Sequence, residues 1–515
     1  MSELGFWNFA SQDPAPLALV DPNMKEWSRG ELLAETNQVA HGLAALGLER
    51  GDCVAVVMEN SAEFLQVYLA VTQCGLYMTP INNHLTGPEI AYIVKDSEAK
   101  VFIGSAQFAE ACTAAREELD FPSTHSFSLG DLEGFLPFEQ LKEGQSTDLP
   151  ENRSAGQVMN YTSGTTGRPK GVRRPLVEIS PDLVATLSTG FLGMFGVQPE
   201  DGHVHICGSP LYHTAVLVFS GSSMHMGHTV VLMEKWTPEG MLQLIEKYQV
   251  THSHMVPTQF HRLLKLDEGI RNRYDVSSLR NMVHAAAPCP VETKKKMLDW
   301  WGDSIYEYYA ATEGGGTLVT PQEWRQYPGT VGKAWANSDI KIFDEDENEL
   351  GPNEVGTVYM LLGQADFKYK DAEKKTRDNR IGNYFTVGDI GELNDEGYLF
   401  LRDRKTDMII SGGANLYPAE IEAELIQHPK VADVAVFGIP NDDWGEEIKA
   451  VIQPIDGVEA GEALTDEIFE WCGPRLAKMK TPRSIDYLSE LPRDPNGKLY
   501  KRKLRDPYWE GRSQI

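Results

Sequence analysis

The sequence predicts an α/β protein with mostly parallel sheets and helices on both faces, then a smaller β-rich subdomain and a separate α+β C-terminal domain. Three observations predict it. Up to about residue 260, helical periods alternate with short buried runs. After about residue 320 the long helical periods stop, and short strands with acidic turns replace them. Past Arg404, helix and strand text returns in a stretch of about 110 residues, within ordinary domain size.

Taken in order, "RGELLAETNQVAHGLAALGL" has apolar residues at helical spacing and stops at Gly47. "GDCVAVVMEN" reads as a short buried strand, "SAEFLQVYLAVTQCGL" as a helix and "AKVFIGS" as a strand. The rhythm continues with "HVHICGSPL", "TVVLM" and "VTHSHMVP" as strands. "VGKAWANSDIKIFDEDENELGPNEVGTVYML" carries the short strands of the β-rich part. "PAEIEAELIQHPKVADVAVFGIP" reads as helix then strand, and "LTDEIFEWCGPRL" as a helix closed by Gly473 and Pro474. The domain boundary is expected inside "LRDRKTD", giving residues 1–403 and 404–515.

Composition narrows the partners. The chain has 515 residues, too many for one core, and a formal charge of −28. That field repels nucleic acid and anionic lipid, so neither is expected as a partner. An anionic substrate would need local basic groups, and Arg168, Lys170, Arg173 and Arg174 form one such concentration. Cys53, Cys74, Cys112, Cys207, Cys289 and Cys472 form no C-x-x-C pair, which fits reduced thiols. With no secretory leader, no apolar run near 20 residues and no lipidation box, a cytoplasmic location without integral membrane association is expected. Monomer and homodimer both stay open.

One stretch carries chemistry by itself. In "VMNYTSGTTGRPKGVRR", the hydroxyls of Thr162, Ser163, Thr165 and Thr166 alternate with Gly164 and Gly167, and Lys170 stands at the rim. Glycine brings a ligand close to bare amides, and converging donors make an anion cradle, with phosphate as the natural guest. It is not the usual phosphate loop, because Pro169 keeps Arg168 out of the helical region. A flexible linker would have no use for that rigid proline.

Other segments are weaker singly. "YEYYAATEGG" offers an aromatic for a base and a carboxylate for magnesium, or merely a buried aromatic strand. Asp389 after Gly388 suits a ribose diol, though G-D is a common turn. Lys498 follows Pro495-Asn496-Gly497 in a basic run that ordinarily reads as a solvated face. Nine of the 13 histidines lie between residues 203 and 284, with His203 and His205 on one strand face and His252 and His254 on another. A metal site there is conceivable, yet no acidic or cysteine ligand is interleaved.

Read together, "YTSGTTGRPKGV", "PLYHTA", "HAAAPCP", "YYAATEG", "YFTVGD", "DRKTDMIISGGANLYPAEIE" and "PRDPNGKLYKRKLR" resemble the ordered motifs of the adenylate-forming superfamily, from about Trp27 to Arg505. The resemblance implies two parallel-sheet subdomains and a small β-barrel-like one in residues 1–403, with a mobile domain after them. It implies an acyl-CoA synthetase that makes acyl-AMP and pyrophosphate from ATP and an acid, then a thioester with coenzyme A. By similarity, Thr162, Ser163, Gly164, Thr165, Thr166, Gly167 and Lys170 bind the outer phosphates. Ala285, Ala286, Ala287, Pro288 and Tyr309 flank adenine, and Asp389 and Arg404 take the ribose. Thr312 approaches the α-phosphate, Thr166 and Glu313 hold Mg²⁺, and Lys498 bridges carboxylate and phosphate. His213 gates the acyl pocket, whose wall is expected at Tyr212, Thr214, Val218, Phe219, Ser222, Met255, Ala286 and Ala310. Ser411, Gly412, Gly413 and Ala414 form the turn that coenzyme A passes, with the pivot at Thr406.

The chain departs from the family's usual wording at Tyr309-Ala310-Ala311, at Val387-Gly388-Asp389 and at His284 to Pro288, where pocket walls change. The mostly apolar, uncharged wall favours a hydrophobic monocarboxylate, fatty or ring-bearing. An amino-acid-activating protein would place an aspartate after the histidine gate, and "PLYHTAVLVFSG" has none. An acyl-AMP ligase serving a carrier protein and a luciferase-like oxygenase are alternatives within the superfamily. A catalytically inactive ligand-binding relative is the alternative of another class, disfavoured by the intact loop, Glu313, Asp389 and Lys498.

Overall fold

A computed structural model describes residues 4–162, 169–199, 202–311, 314–361, 368–369, 379–493 and 499–510. The chain divides into two compact units. One holds Met1–Met255, Leu266–Val283 and Ala365–Asp378; the other holds Val256–Lys265, His284–Gln364 and Asn379–Ile515. The boundary expected at residues 403 and 404 falls inside the second unit.

Two sheets of the first unit carry parallel strands. Cys53–Val56, Tyr77–Pro80 and Ala99–Ser105 form the centre of a six-stranded parallel sheet. Its central strands are buried on both faces, as parallel strands between helices must be. The helix Ala62–Gln73 starts where Ser61 accepts a bond from the Phe64 amide. The helix Arg29–Ala45 starts on a reciprocal Ser28–Glu31 capping box, and Gly47 beyond it takes φ +82°. In the second sheet, Leu17–Val20, Thr229–Leu232, Val204–Cys207 and His252–Met255 run parallel as successive neighbours. Those elements lie where the alternation of apolar periods places them.

In the second unit, Ile305–Ala311, Gly314–Val319 and Lys333–Ala334 are antiparallel. The β-rich part is an antiparallel sheet ordered Arg380–Ile381, Tyr384–Phe385, Gly356–Leu361, Asp389–Leu393, Leu399–Arg404, with Ile340–Phe343 paired to Gly356–Leu361. Towards the C-terminus, Val431–Asn441 pairs with Gly445–Pro454, and the helices Pro418–Leu425 and Glu462–Cys472 cover that sheet around Ile421, Leu425, Val436 and Ile468. Among the described residues, no helix is long and apolar enough to cross a membrane.

Candidate active site

Asn160–Thr162 and Lys170–Arg173 form an antiparallel hairpin in the first unit, with Lys170 opposite Thr162 and Gly171 opposite Tyr161. Ser163, Gly164, Thr165, Thr166, Gly167 and Arg168 lie outside the described residues. Lys170 sits half-buried at the neck of the hairpin. A Cβ on Gly171 would come within 2.9 Å of the Tyr161 ring, so glycine is the residue that lets this ring lie flat across the hairpin. Arg173 is engaged below the neck: its guanidinium lies 4.7 Å from the centre of the Tyr77 ring and 3.5 Å from Glu98. The basic concentration read from the sequence is therefore smaller than the count of its arginines.

His213 is the N-cap residue of the helix Thr214–His225, and its ring lies 4.4 Å from that of Tyr212. Along that helix Phe219 is buried among Phe191 at 5.5 Å, Phe195 at 5.8 Å and His254 at 4.9 Å. Ser222 donates to the Ser188 carbonyl over 3.4 Å. Thr214 is half-buried and Val218 exposed, whereas Tyr212, Phe219, Ser222 and Met255 are buried. The expected wall residues of the first unit thus divide between solvent and core.

In the second unit three strands deliver one polar group. Asp389 opens its strand after Gly388, whose φ of +88° suits glycine alone. Across the antiparallel register Asp389 faces Arg404, and Nε of Arg404 lies 3.5 Å from Oδ1 of Asp389. Tyr309 donates its hydroxyl to Oδ2 of Asp389 over 2.6 Å. The carboxylate is mostly buried and the guanidinium exposed, so the acceptor is oriented while one side stays reachable. Such a carboxylate accepts two hydrogen bonds from a vicinal diol.

The segment Ala285 to Pro288 follows the strand Asn281–His284, and Ala286 takes φ +75°, a left-handed conformation that costs an alanine about 1 kcal/mol. Ala286 and Pro288 are exposed, Ala287 half-buried and Ala310 exposed. Behind this turn Lys294 and Glu307 form a buried pair at 2.5 Å, with His284 Nε2 3.4 Å from the same oxygen. Burial pushes the Glu307 carboxyl above its ordinary value against the pull of Lys294. Thr312, Glu313 and Lys498 lie outside the described residues. Both residues assigned to magnesium by resemblance, Thr166 and Glu313, are among the undescribed ones.

Ser411 and Ala414 close a hairpin through Gly412 at φ +58° and Gly413 at φ +81°. The Gly412 amide donates to the Trp444 carbonyl over 2.8 Å, and a Cβ on Gly412 would strike the exposed Trp444 ring at 2.5 Å. The carbonyl of Thr406 accepts from Nη1 of Arg505 over 3.0 Å.

The paired histidines His203, His205 and His252 are part of the core. His252 Nε2 meets Ser223 Oγ at 2.8 Å, His203 Nδ1 meets Thr251 Oγ1 at 2.9 Å, and His205 Nε2 meets Ser220 Oγ at 3.3 Å. Burial, then the neighbouring His254 and His228, pushes His205 down to about 3. Among the described residues, no three His, Cys, Asp or Glu side chains are grouped to hold a metal ion.

Sequence reading missed Tyr92 and Asp96 beside the hairpin, the Lys294–Glu307 pair, Trp444 and Arg505. Tyr161 alone carried a signal, standing two residues before the loop.

Residues 6–362 match the family model for AMP-binding enzymes, and residues 420–498 match that for the AMP-binding enzyme C-terminal domain. The chain is 33% identical over 507 residues to the long-chain-fatty-acid–CoA ligase FadD13 of Mycobacterium tuberculosis, covering 97% of each chain. It is 29% identical to the fatty acid–[acyl-carrier-protein] ligase ScoC of Streptomyces coeruleorubidus, covering 93% of this chain and 91% of that one. The solved structure of the anthranilate CoA ligase AuaEII with anthranoyl-AMP aligns at a TM-score of 0.84 and 26% identity, over 99% of this chain and 98% of the other.

Proposed function

This chain belongs to the AMP-binding enzyme family, and from that premise we propose that it is an AMP-forming ligase joining a hydrophobic carboxylic acid to coenzyme A. The observation that carries the reading is the Tyr309–Asp389–Arg404 group, an oriented acceptor for a ribose diol with an aromatic ring beside it. Similarity to a fatty-acid–CoA ligase over almost the whole chain supports the acid and the thiol.

A carboxylate is a poor acyl donor, because its leaving group would be oxide. In the proposed first step a carboxylate oxygen attacks the α-phosphorus of ATP, the bond to pyrophosphate breaks, and acyl-AMP forms. In the second, the thiol sulfur of coenzyme A attacks the acyl carbon, the bond to AMP breaks, and the thiol proton is lost. Neither step needs a covalent enzyme intermediate, so catalysis rests on placing reactants and stabilising charge. Lys170 and the hydroxyl loop after Thr162 hold the outer phosphates. Asp389 and Arg404 orient the ribose, and Ala286, Ala287, Pro288 and Tyr309 leave a flat slot for adenine. Lys498 bridges the acid and the α-phosphate, and Thr312 approaches the same phosphate. Magnesium, where bound by Thr166 and Glu313, neutralises phosphate charge.

The acid is fatty or ring-bearing: the residues assigned to its pocket by resemblance carry no charge that would pair a second carboxylate. After adenylation the domain from about residue 404 turns about Thr406, withdrawing Lys498 and presenting the Ser411–Ala414 turn to the pantetheine. A carrier protein as acceptor is the second reading, favoured by similarity to ScoC.

The test is pyrophosphate release across fatty, aromatic, steroid-side-chain and amino acids, with coenzyme A, with a carrier protein and with neither. The proposal expects release with one or more hydrophobic acids and thioester only with coenzyme A. No release with any acid refutes it, and thioester on the carrier alone transfers it to the second reading.

A further inference from the structure

We propose that Asp96, Tyr92 and Tyr161 are positioning residues that brace the neck of the loop assigned to the outer phosphates of ATP. The inference rests on that assignment and adds to it the elements that hold the loop in register.

The helix Gly87–Asp96 grips both flanks of the loop. Tyr161, two residues before it, donates its hydroxyl to Oδ2 of Asp96 over 2.6 Å. Tyr92, one turn back on the same helix face, donates to the carbonyl of Pro169, the first described residue after it, over 3.2 Å. The helix itself is a rigid platform. Its Ile90, Ala91, Ile93 and Val94 are buried in one apolar cluster, against which the rings of Tyr92 and Tyr161 also pack.

Two features point away from incidental surface bonding. Asp96 puts a carboxylate on the last residue of its helix, where the dipole disfavours negative charge, and the Tyr161 hydroxyl offsets that. Opposite Tyr161 in the hairpin stands Gly171, whose missing side chain lets the ring pass. Burial first, and the Asp96 carboxylate second, push the Tyr161 hydroxyl far above its ordinary value, so it stays a donor through the neutral range. A hairpin held at both strands has less freedom to lose when phosphate binds.

The brace acts on the part of the site that meets only the β- and γ-phosphates, and this makes it separable from a merely structural role. Tyr161→Phe, Asp96→Asn and Tyr92→Phe are compared with the unaltered chain for the KM of Mg-ATP and, in the reverse reaction from acyl-AMP, the KM of pyrophosphate. Affinity for AMP and the rate of thioester formation from supplied acyl-AMP are measured alongside. Tyr161→Phe should raise both KM values about tenfold, the effect of losing one charge-assisted hydrogen bond. AMP affinity and the thioester step should stay within about twofold. Asp96→Asn keeps an amide oxygen as acceptor and should fall between the other two. Tyr92→Phe, losing a neutral bond, should shift both KM values least and serves if the first two fold poorly. A parallel loss in all four measurements, or no change in either KM, overturns the brace. An unaltered chain that releases no pyrophosphate with any acid would refute the phosphate reading itself, a separate outcome.

Discussion

In the first unit, the rings of His203, His205 and His228 each lie 4.9 to 5.4 Å, centre to centre, from that of His252, and His203 and His228 lie 5.1 Å apart. Each is at most 4% exposed and bonds a hydroxyl or a carbonyl. In the second unit, Tyr309, Asp389 and Arg404 form a smaller polar group, yet Arg404 keeps 44% of its side chain in solvent. The first group has more residues of the kind that bind metals and protons. The second has the geometry that can exchange an internal partner for a ligand. Ligand-type residues make a site only where burial and internal bonding leave room for a guest; otherwise they make a core.

The comparison breaks most sharply on acid. His205, His225, His252 and His254 are all held neutral by burial, with His205 down to about 3, His225 and His254 down to about 4, and His252 well below its ordinary value. Their unfolded pKa is about 6.5. Below that the unfolded chain takes protons that the native chain refuses, so stability is unaffected above pH 6.5 and lost as pH falls toward the folded values. At pH 5.5 each contributes a loss on the order of 1 kcal/mol, and the four together several. Urea denaturation at pH 7.5 and 5.5 should show a steep fall in midpoint, and equal midpoints would place these histidines outside the core.

The next effect belongs to the other region. Lys498→Ala should slow adenylate formation by about 10²–10³-fold, the scale of losing one preorganised charge donor. Thioester formation from supplied acyl-AMP should survive far better, and equal loss in both steps would contradict the role given to Lys498. Asp389→Ala should lower kcat/KM for ATP by about 10- to 10²-fold, as expected for losing bonds to a charged acceptor, with the acid-denaturation profile unchanged. Unchanged ATP kinetics would remove Asp389 from the site. The smallest effect is the mirror image. Ser223→Ala takes the hydroxyl from His252 and should cost about 1–1.5 kcal/mol of stability while leaving kcat/KM untouched. A fall in turnover without a fall in stability would turn the histidine group into a functional one.

The α/β architecture was legible because strands buried on both faces read as apolar runs and helices as 3.6-residue periods, as "AKVFIGS" and Ala99–Ser105 illustrate. Asp389 and Arg404 could be named from motif order, but their meeting depends on a strand register that spacing alone does not specify. Asp96 and Tyr92 were illegible, since polar residues on an amphipathic helix read as its solvent face until the fold puts a hairpin there. Arg173 was overvalued for the same reason: one-dimensional charge clustering does not show that its guanidinium lies over Tyr77. The histidines were noticed for their number, while the hydroxyls that occupy them come from the helix Thr214–His225 and from Thr251, which spacing does not place against them.

The central claim is that the acid is activated as an adenylate before any thiol is engaged. Exchange of labelled pyrophosphate into ATP, run without coenzyme A, tests it most directly. The account predicts exchange that appears only when a hydrophobic acid is added and that Lys498→Ala slows by about 10²–10³-fold. Exchange that needs no acid, or thioester synthesis from the same acid with no exchange at all, would contradict it.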